Sequence, residues 1–257
     1  MSATPKPFIL AETNFKDIQS THFDVAVLPW GATEAHNYHL PYATDNYQVE
    51  HIARTTAEIA WSKGTKVLVL PTIPFGVNTG QLDVPYCINM NPSTQLAILK
   101  DVCDVIIRHG STKLVILNGH GANNFNSIIR ELAGIFPQLM VFAVNWFQSA
   151  PVKEYFEQPG DHADEMETSV MMHLHPDLVL PLEVAGDGAT RKFTPAGIKK
   201  GWAWTQRPWT KITRDTGSGS PALATPDKGR FFLEACVENI ATFYTEISNK
   251  SVDSFLS

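Results

Sequence analysis

The chain has 257 residues, a net charge of −6 at pH 7 and 44% hydrophobic residues, which is typical of a globular protein with a substantial core. The mild acidic excess disfavours nucleic acid as a partner, because phosphate binding needs concentrated lysine and arginine. No long apolar run and no basic cluster indicates a membrane partner. The three cysteines form no CxxC pair and the N-terminus resembles no secretion signal, so we expect a cytoplasmic protein.

Four short apolar runs, rich in valine and leucine, predict the strands of a sheet. They are Asp24–Trp30, Lys66–Pro71, Lys113–Asn118 and Leu139–Trp146. Runs that are apolar on both faces favour a parallel sheet that is covered on both sides, because a half-exposed antiparallel strand would alternate with polar residues.

Helical patterns lie between these runs and at the end of the chain. The predicted helices are Asp45–Ser62, Ser93–His109, Asn124–Phe136 and a last helix that starts at Thr225-Pro226. Alternating strands and helices predict an α/β fold, a three-layer α/β/α sandwich around a mostly parallel sheet, with residues 1–257 as a single domain. The segment Thr190–Thr225 has no strong periodicity, and we expect such a long irregular segment to serve a site or an interface.

Ionisable side chains follow the first and third predicted strands, where ligands bind in open α/β sheets. Glu34 and His36 are two residues apart, so both face one way in an extended segment. Asp45 starts the next helix, where the helix dipole favours a carboxylate that can bridge two cations. His120 arrives from the other strand end, whereas His39 is interpreted as a supporting or packing residue. Oxygen and imidazole ligands without sulfur suit zinc, manganese or iron(II).

A third polar segment, Asp161–Ser169, precedes an apolar helical stretch. At the start of a helix, Glu167 could point into the same crevice as a further metal ligand. His162 would lie at the loop edge, where a general acid or base is useful. The other acidic residues of the segment are interpreted as a solvated helix N-terminus, namely Asp161, Asp164 and Glu165.

These motifs resemble those of the creatininase family of amidohydrolases. The matching segments are LPWGATEAHNYHLPYATD, LNGHGANN and HADEMETS, in the family's order and spacing, and the resemblance extends from about Asp24 to about Pro176. It implies an α/β sandwich, a centre of two divalent metal ions and a homo-oligomer, often a hexamer in this family.

The resemblance also implies individual roles. Glu34 and His120 would hold one metal, His36 and Glu167 would hold the other, and Asp45 would bridge them. His162 would shuttle protons as the catalytic residue. The candidate substrate-binding residues are Gly119 and Gly121, whose turn offers backbone amides, together with Asn78 and Asp161.

Two departures from the family pattern disfavour creatinine as the substrate and leave the metal chemistry in place. Creatinine-hydrolysing members carry a glutamate two residues after the position of His120, where this chain has Ala122. They also carry a tryptophan just before the position of His162, where this chain has Glu157-Gln158-Pro159-Gly160.

The sequence therefore predicts a metal-dependent hydrolase that cleaves the C–N bond of a small, cyclic or open-chain amide by a hydroxide activated between two metals. One alternative is that the same site hydrolyses or isomerises a cyclic keto-sugar or keto-inositol. A remoter alternative is a non-catalytic dinucleotide-binding module, because Gly119-x-Gly121 follows a predicted strand.

Overall fold

The computed structural model describes residues 6–158 and 160–255. Its centre is a four-stranded parallel sheet in the order β2-β1-β3-β4. The strands are β1 (Val25–Trp30), β2 (Val67–Val69), β3 (Lys113–Asn118) and β4 (Met140–Asn145). All four predicted strands are confirmed, but β2 is shorter than expected, because Pro29 of the neighbouring β1 has no N–H to donate to Leu70 O.

Eight α-helices accompany the sheet among the described residues. They are α1 (Phe15–Gln19), α2 (Thr44–Ser62), α3 (Pro92–Arg108), α4 (Asn126–Ile135), α5 (Glu165–Leu174), α6 (Ala196–Lys199), α7 (Trp209–Ile212) and α8 (Pro226–Ser248). The predicted start of the last helix is confirmed: the Thr225 side chain accepts from Lys228 N at 3.3 Å and Pro226 occupies the first turn. Among the described helices, none combines the length and the apolar character that crossing a membrane requires.

The sheet separates two hydrophobic layers, which confirms the three-layer sandwich. Val25 and Val27 of β1 pack in one cluster with residues of α2, α5 and α8. Ala26 and Leu28 point the other way, into a cluster with residues of α3 and α4. The two central strands, β1 and β3, are buried along their whole length.

Strand β4 differs from the expectation of a fully covered strand. It is half-buried along its length and Ala143 is exposed. The reason is its position: β4 is the last strand of the sheet, with β3 as its neighbour, so it has neighbouring backbone on one side.

The irregular segment before α8 is ordered by a buried carboxylate. Asp215 accepts from Gly188 N, Gly217 N and Thr213 Oγ1, each at 2.9 Å. Because one carboxylate satisfies several loop donors, it holds two loop stretches together without regular secondary structure. This arrangement positions α7 beside the carboxyl ends of the central strands.

Candidate metal centre

The structure brings the four motif residues together at the carboxyl ends of the two central strands. Glu34 and His36 follow β1, Asp45 lies in the first turn of α2, and His120 follows β3. Strands β1 and β3 are hydrogen-bonded neighbours, so the segments that leave them meet at one edge of the sheet. All four side chains are buried.

His120 faces two carboxylates with one ring nitrogen. Its Nε2 lies 3.1 Å from Val77 O, and since a carbonyl only accepts, Nε2 carries a proton. Its Nδ1 lies 2.9 Å from Glu34 Oε1 and 3.0 Å from Asp45 Oδ2. Neither oxygen has a hydrogen-bond partner of acceptable geometry among residues 6–158 and 160–255. Converging electron pairs of this kind repel one another unless a proton or a metal ion lies between them.

His36 repeats the arrangement on the other side of Asp45. Its Nδ1 lies 3.1 Å from the Glu34 carbonyl oxygen, so that nitrogen donates to the backbone. Its Nε2 lies 3.1 Å from Asp45 Oδ1 and 3.9 Å from Glu167 Oε2. A histidine held by a backbone carbonyl through one nitrogen is oriented to bind a metal with the other.

Two groups of potential ligands therefore share Asp45. One consists of Glu34, Asp45 and His120, and the other of His36, Asp45 and Glu167, with ligand atoms within 4.8 Å of one another in each group. The donors are carboxylate oxygens and imidazole nitrogens, which suit zinc, manganese or iron(II). The unpartnered oxygens and the oriented imidazoles fit two divalent cations.

The electrostatics of this cluster favour positive charge. Burial opposes the imidazolium, but the Asp45 carboxylate outweighs it and raises the pKa of His36 to about 10. Burial likewise opposes the charged form of His120, and the Glu34 and Asp45 carboxylates raise its pKa well above the usual range. Burial raises the pKa of Glu167 to about 8. A buried site that retains protons so strongly also attracts divalent cations.

His162 lies beside the same cluster. Its Nε2 donates to Ala35 O at 2.8 Å, and its Nδ1 lies 3.6 Å from Glu34 Oε1. Burial and the neighbouring His36 lower the pKa of His162, which keeps the imidazole neutral. The neutral ring presents an acceptor nitrogen to the site. His162 also forms a potential ligand group with Glu34 and His36.

A cavity of about 390 Å³ lies over the cluster. Its lining includes Glu34, Asp45, His120, His162, Glu167 and all four residues predicted to bind substrate, Asn78, Gly119, Gly121 and Asp161. The irregular segment before α8, which the sequence predicts to serve a site or an interface, also contributes to the lining.

The four predicted substrate-binding residues differ in what they offer. Asn78 is buried, and its Oδ1 has no hydrogen-bond partner within the described part of the chain. The Gly119 amide is already used, because it donates to Trp30 O at 2.8 Å. Gly121 has open space where a Cβ would lie. Asp161 lies at the cavity mouth with 53% of its side chain exposed.

The interpretation of the acidic segment as a solvated helix N-terminus is wrong for two of its three residues. Helix α5 does start there, but Asp164 and Glu165 are buried. Asp164 caps the helix by accepting from Glu167 N at 3.1 Å. Glu165 accepts from the backbone of Glu157 and pairs with Lys228 Nζ at 2.5 Å. A local helix cap thus replaces water around Asp164, and a tertiary ion pair replaces it around Glu165.

His39 does not line the cavity, in agreement with a supporting or packing role. Its Nε2 lies 2.8 Å from Thr168 Oγ1, in the residue after Glu167. Ala122 lines the cavity, and Glu157 and Gln158 are exposed at the loop before His162. Pro159 of that loop lies outside the described residues.

Sequence reasoning missed a hydrogen-bonded chain behind Glu34. Gln81 Nε2 donates to Glu34 Oε2, and Gln81 Oε1 accepts from Cys87 Sγ at 3.3 Å. Cys87 Sγ in turn accepts from Ala35 N at 3.2 Å. No motif marks Gln81 or Cys87, because both lie in a loop whose path the sequence does not predict.

The fold and the buried carboxylate–imidazole cluster place the chain in the class of metal-dependent hydrolases built on a parallel sheet. The sequence model of the family described as "Creatininase: Creatinine amidohydrolase" matches residues 10–244. The chain therefore belongs to the creatininase family, whose members are metal-dependent amidohydrolases, and is an enzyme of that class.

Similar proteins support this assignment over most of their length. A crystal structure of a provisionally named creatinine amidohydrolase from Bacteroides fragilis NCTC 9343 is 42% identical, with a TM-score of 0.90, 97% of this chain covered and 99% of that one. The creatinine amidohydrolase of Pseudomonas putida is 27% identical over 239 residues, which cover 84% of this chain and 87% of the relative. The 3-dehydro-scyllo-inosose hydrolase of Thermotoga maritima is 28% identical over 250 residues, 88% of this chain and 78% of the relative.

The remote alternative of a dinucleotide-binding module has no support in this geometry. The turn after β3 directs His120 into the carboxylate cluster, where a dinucleotide-binding turn would present its backbone to a pyrophosphate.

Proposed function

We propose that this chain is a two-metal amidohydrolase that cleaves the C–N bond of small amides other than creatinine. The observation that carries the proposal is the shared carboxylate of Asp45. Its Oδ1 lies 3.1 Å from His36 Nε2 and its Oδ2 lies 3.0 Å from His120 Nδ1. A carboxylate that faces a different imidazole with each oxygen is suited to bridge two divalent cations.

In this proposal Glu34, Asp45 and His120 hold one cation, and His36, Asp45 and Glu167 hold the other. When bound, two divalent cations lower the pKa of water toward neutrality and stabilise negative charge on a carbonyl oxygen. The burial of the ligands supports this role, because a water-poor site strengthens such electrostatic effects.

His162 is the proposed proton carrier. Since Ala35 O holds its Nε2 proton, Nδ1 is the nitrogen that accepts a proton from the attacking water and returns it to the leaving nitrogen. Asn78 Oδ1 is the proposed acceptor for a substrate N–H, because this buried oxygen has no partner among the described residues. The Gly119 N–H already donates to Trp30 O, so the Gly121 amide is the proposed group of this turn that orients the substrate.

Two features argue against creatinine. Ala122 leaves a small apolar side chain in the cavity lining where creatinine-hydrolysing members carry a glutamate. Exposed Glu157 and Gln158 stand near the position of the family's substrate-packing tryptophan. The first change alters the wall of the cavity and the second replaces an aromatic side chain by polar ones, whereas the ligand groups around Asp45 keep all their members.

Hydrolysis of a cyclic keto-inositol is the second candidate. The similarity to an inosose hydrolase of Thermotoga maritima favours it, since the identity of 28% is comparable with that to the Pseudomonas enzyme. Both reactions can use the same metal centre. The products distinguish them, because amide hydrolysis releases an amine together with a carboxylate and the alternative releases no amine.

The test combines metal content with product analysis. Protein purified without chelator should hold close to two zinc, manganese or iron atoms per chain, and Glu34→Ala and His120→Ala should hold clearly fewer. Metal-loaded protein should then release amine from a panel of formamides, cyclic amides and small peptides. A chain that binds less than about a tenth of a metal atom, with no activity restored by added metal, would overturn the proposal.

Three expectations accompany it: a single domain over residues 1–257, a homo-oligomer and a cytoplasmic location. Trp202 and Trp204 are 76% and 84% exposed in this chain, and they are candidates for a subunit contact, because aromatic residues are enriched at interfaces. Light scattering on the purified protein, with Trp204→Ala beside it, measures whether these residues hold an oligomer together.

A further inference from the structure

One cationic side chain stands at the mouth of the catalytic cavity. Arg207 is the only lysine or arginine among the described residues that line it, against five lining carboxylates. Its Nη1 lies 2.8 Å from Asp161 Oδ2, and 41% of the Arg207 side chain is exposed. The proposed hydrolysis assigns no task to this arginine.

The guanidinium of Arg207 is held in place by an aromatic ring. Its central carbon lies 4.5 Å from the centroid of the Trp209 ring. Trp209 is buried, and its indole N–H donates to Thr216 O at 2.9 Å. The edge of the same ring meets His162, with the ring centroids 5.3 Å apart. One indole ring therefore separates Arg207 from the proposed proton carrier.

The backbone of Arg207 is fixed as well. A Cβ added at Gly80 would lie 2.4 Å from Arg207 O, so the two segments are in close contact. Thr210 Oγ1 also donates to Asp83 Oδ2, which fastens α7 to the turn after Gln81. Because both the backbone and the guanidinium are restrained, Arg207 presents a preorganised cation to the cavity.

The contact with Asp161 leaves Arg207 free to bind something else. Arginine has five N–H donors, and within the described part of the chain Arg207 donates a hydrogen bond through Nη1 alone. Exposed ion pairs contribute little to stability, so an incoming anion can replace Asp161 at small cost. A planar guanidinium matches a carboxylate with two parallel hydrogen bonds.

We propose that Arg207 binds a carboxylate of the substrate, so that the preferred substrates are amides with a free carboxylate away from the scissile bond. N-acylated amino acids and small peptides with a free C-terminus have this chemistry. The inference rests on the proposed amidohydrolase function and narrows it to a substrate class. Arg207 acts on ground-state binding and orientation and takes no part in proton transfer.

The experiment compares matched pairs of compounds. Each pair consists of an N-acyl amino acid and the corresponding N-acyl amino alcohol, in which the carboxylate is replaced by hydroxymethyl. The metal-loaded parent should show a kcat/KM about tenfold to a hundredfold higher for the carboxylate, as expected for hydrogen bonds to a charged group. Arg207→Gln should lose this preference through KM for the carboxylate, with unchanged metal content and a much smaller effect on the amino alcohol.

The matched control is Arg230→Gln. Arg230 also lies over an aromatic ring, Phe231 at 4.0 Å, and pairs with a carboxylate, Glu234 at 3.0 Å, with a similarly exposed side chain. It does not line the cavity, so its loss should leave the carboxylate preference intact. Arg207→Lys should restore part of the preference, because a point charge replaces the guanidinium without its two-pronged geometry.

Calorimetric binding of the same pairs gives a readout that needs no turnover. Weaker binding of the carboxylate to Arg207→Gln than to the parent supports the role of Arg207 in carboxylate binding. If the amide bond is not cleaved in the same experiment, only the proposed amide hydrolysis fails. Equal binding to both proteins, a parent that does not discriminate within the pairs, or a preference for organic phosphates over carboxylates would overturn it.

Discussion

Gln81 gives the sharpest test of how the centre is built. Its side-chain nitrogen donates to Glu34 Oε2, while Glu34 Oε1 faces His120 Nδ1 at 2.9 Å. The Cys87 thiol donates to Gln81 Oε1, which fixes the amide so that its nitrogen faces Glu34. The substitution Gln81→Met keeps the length of the side chain but removes its N–H donor. The buried carboxylate oxygen Glu34 Oε2 then loses its hydrogen-bond partner.

The size of the effect follows from this single contact. A hydrogen bond to a charged group contributes about 1.5–3 kcal/mol, which corresponds to about tenfold to a hundredfold in metal affinity. Glu34 belongs to the ligand group with His120, whereas the side-chain hydrogen bonds of Gln81 go to Glu34 and Cys87 and to no member of the group of His36, Asp45 and Glu167. The variant should therefore weaken one metal site selectively.

Stepwise zinc titration against a chromophoric chelator measures both sites. The parent should show two tight steps, and Gln81→Met should show one tight step and one that is weaker by the stated factor. Gln148→Met is the matched control, because Gln148 lines the same cavity and contacts Asn145 rather than Glu34. Equal weakening of both steps, or no change in either, would refute the division of ligands between two sites.

Three further predictions address other parts of the centre. Asp45→Ala should lose both metals, because each ligand group contains Asp45, and a variant with full metal content by elemental analysis would contradict a bridging role. His162→Ala should keep its metals and lose about 10²–10⁴-fold in kcat, which is the usual contribution of general acid–base catalysis. An unchanged kcat would exclude His162 as the proton carrier. Gly119→Ala should lower the melting temperature and the metal content, since the added Cβ would lie 3.0 Å from Asp45 O, whereas Gly121→Ala, with open space, should change neither.

The sequence predicts which side chains meet at the candidate centre because most of its potential ligands come from two short local patterns. Glu34 and His36 follow one buried strand and His120 follows another, and parallel strands bring such segments to one edge. The central strands and long helices are predicted for a similar reason, since their apolar periodicity reflects burial directly.

The rest of the site depends on contacts that no local pattern contains. Gln81 and Cys87 reach Glu34 through a loop of irregular shape, and Arg207 reaches the cavity mouth because Asp215 organises the segment before α8. The sequence predicts that Glu165 is a solvent-exposed carboxylate, but Lys228 of α8 forms an ion pair with it. Each of these outcomes is a tertiary contact that overrides local preference.

Helix α5 supplies Glu167 to the ligand group of His36, Asp45 and Glu167. This group therefore contains two carboxylates although position 122 holds an alanine. Asp164 caps the helix and fixes its first turn, which directs Glu167 Oε2 to within 3.9 Å of His36 Nε2. Asp45 completes this candidate group from α2, so the two groups that share Asp45 take only His120 from the turn after β3. Ala122 can then serve the cavity wall alone. Under the proposed function, the same scaffold keeps its metal site while the residues around the cavity, Ala122 and Arg207 among them, select a different amide.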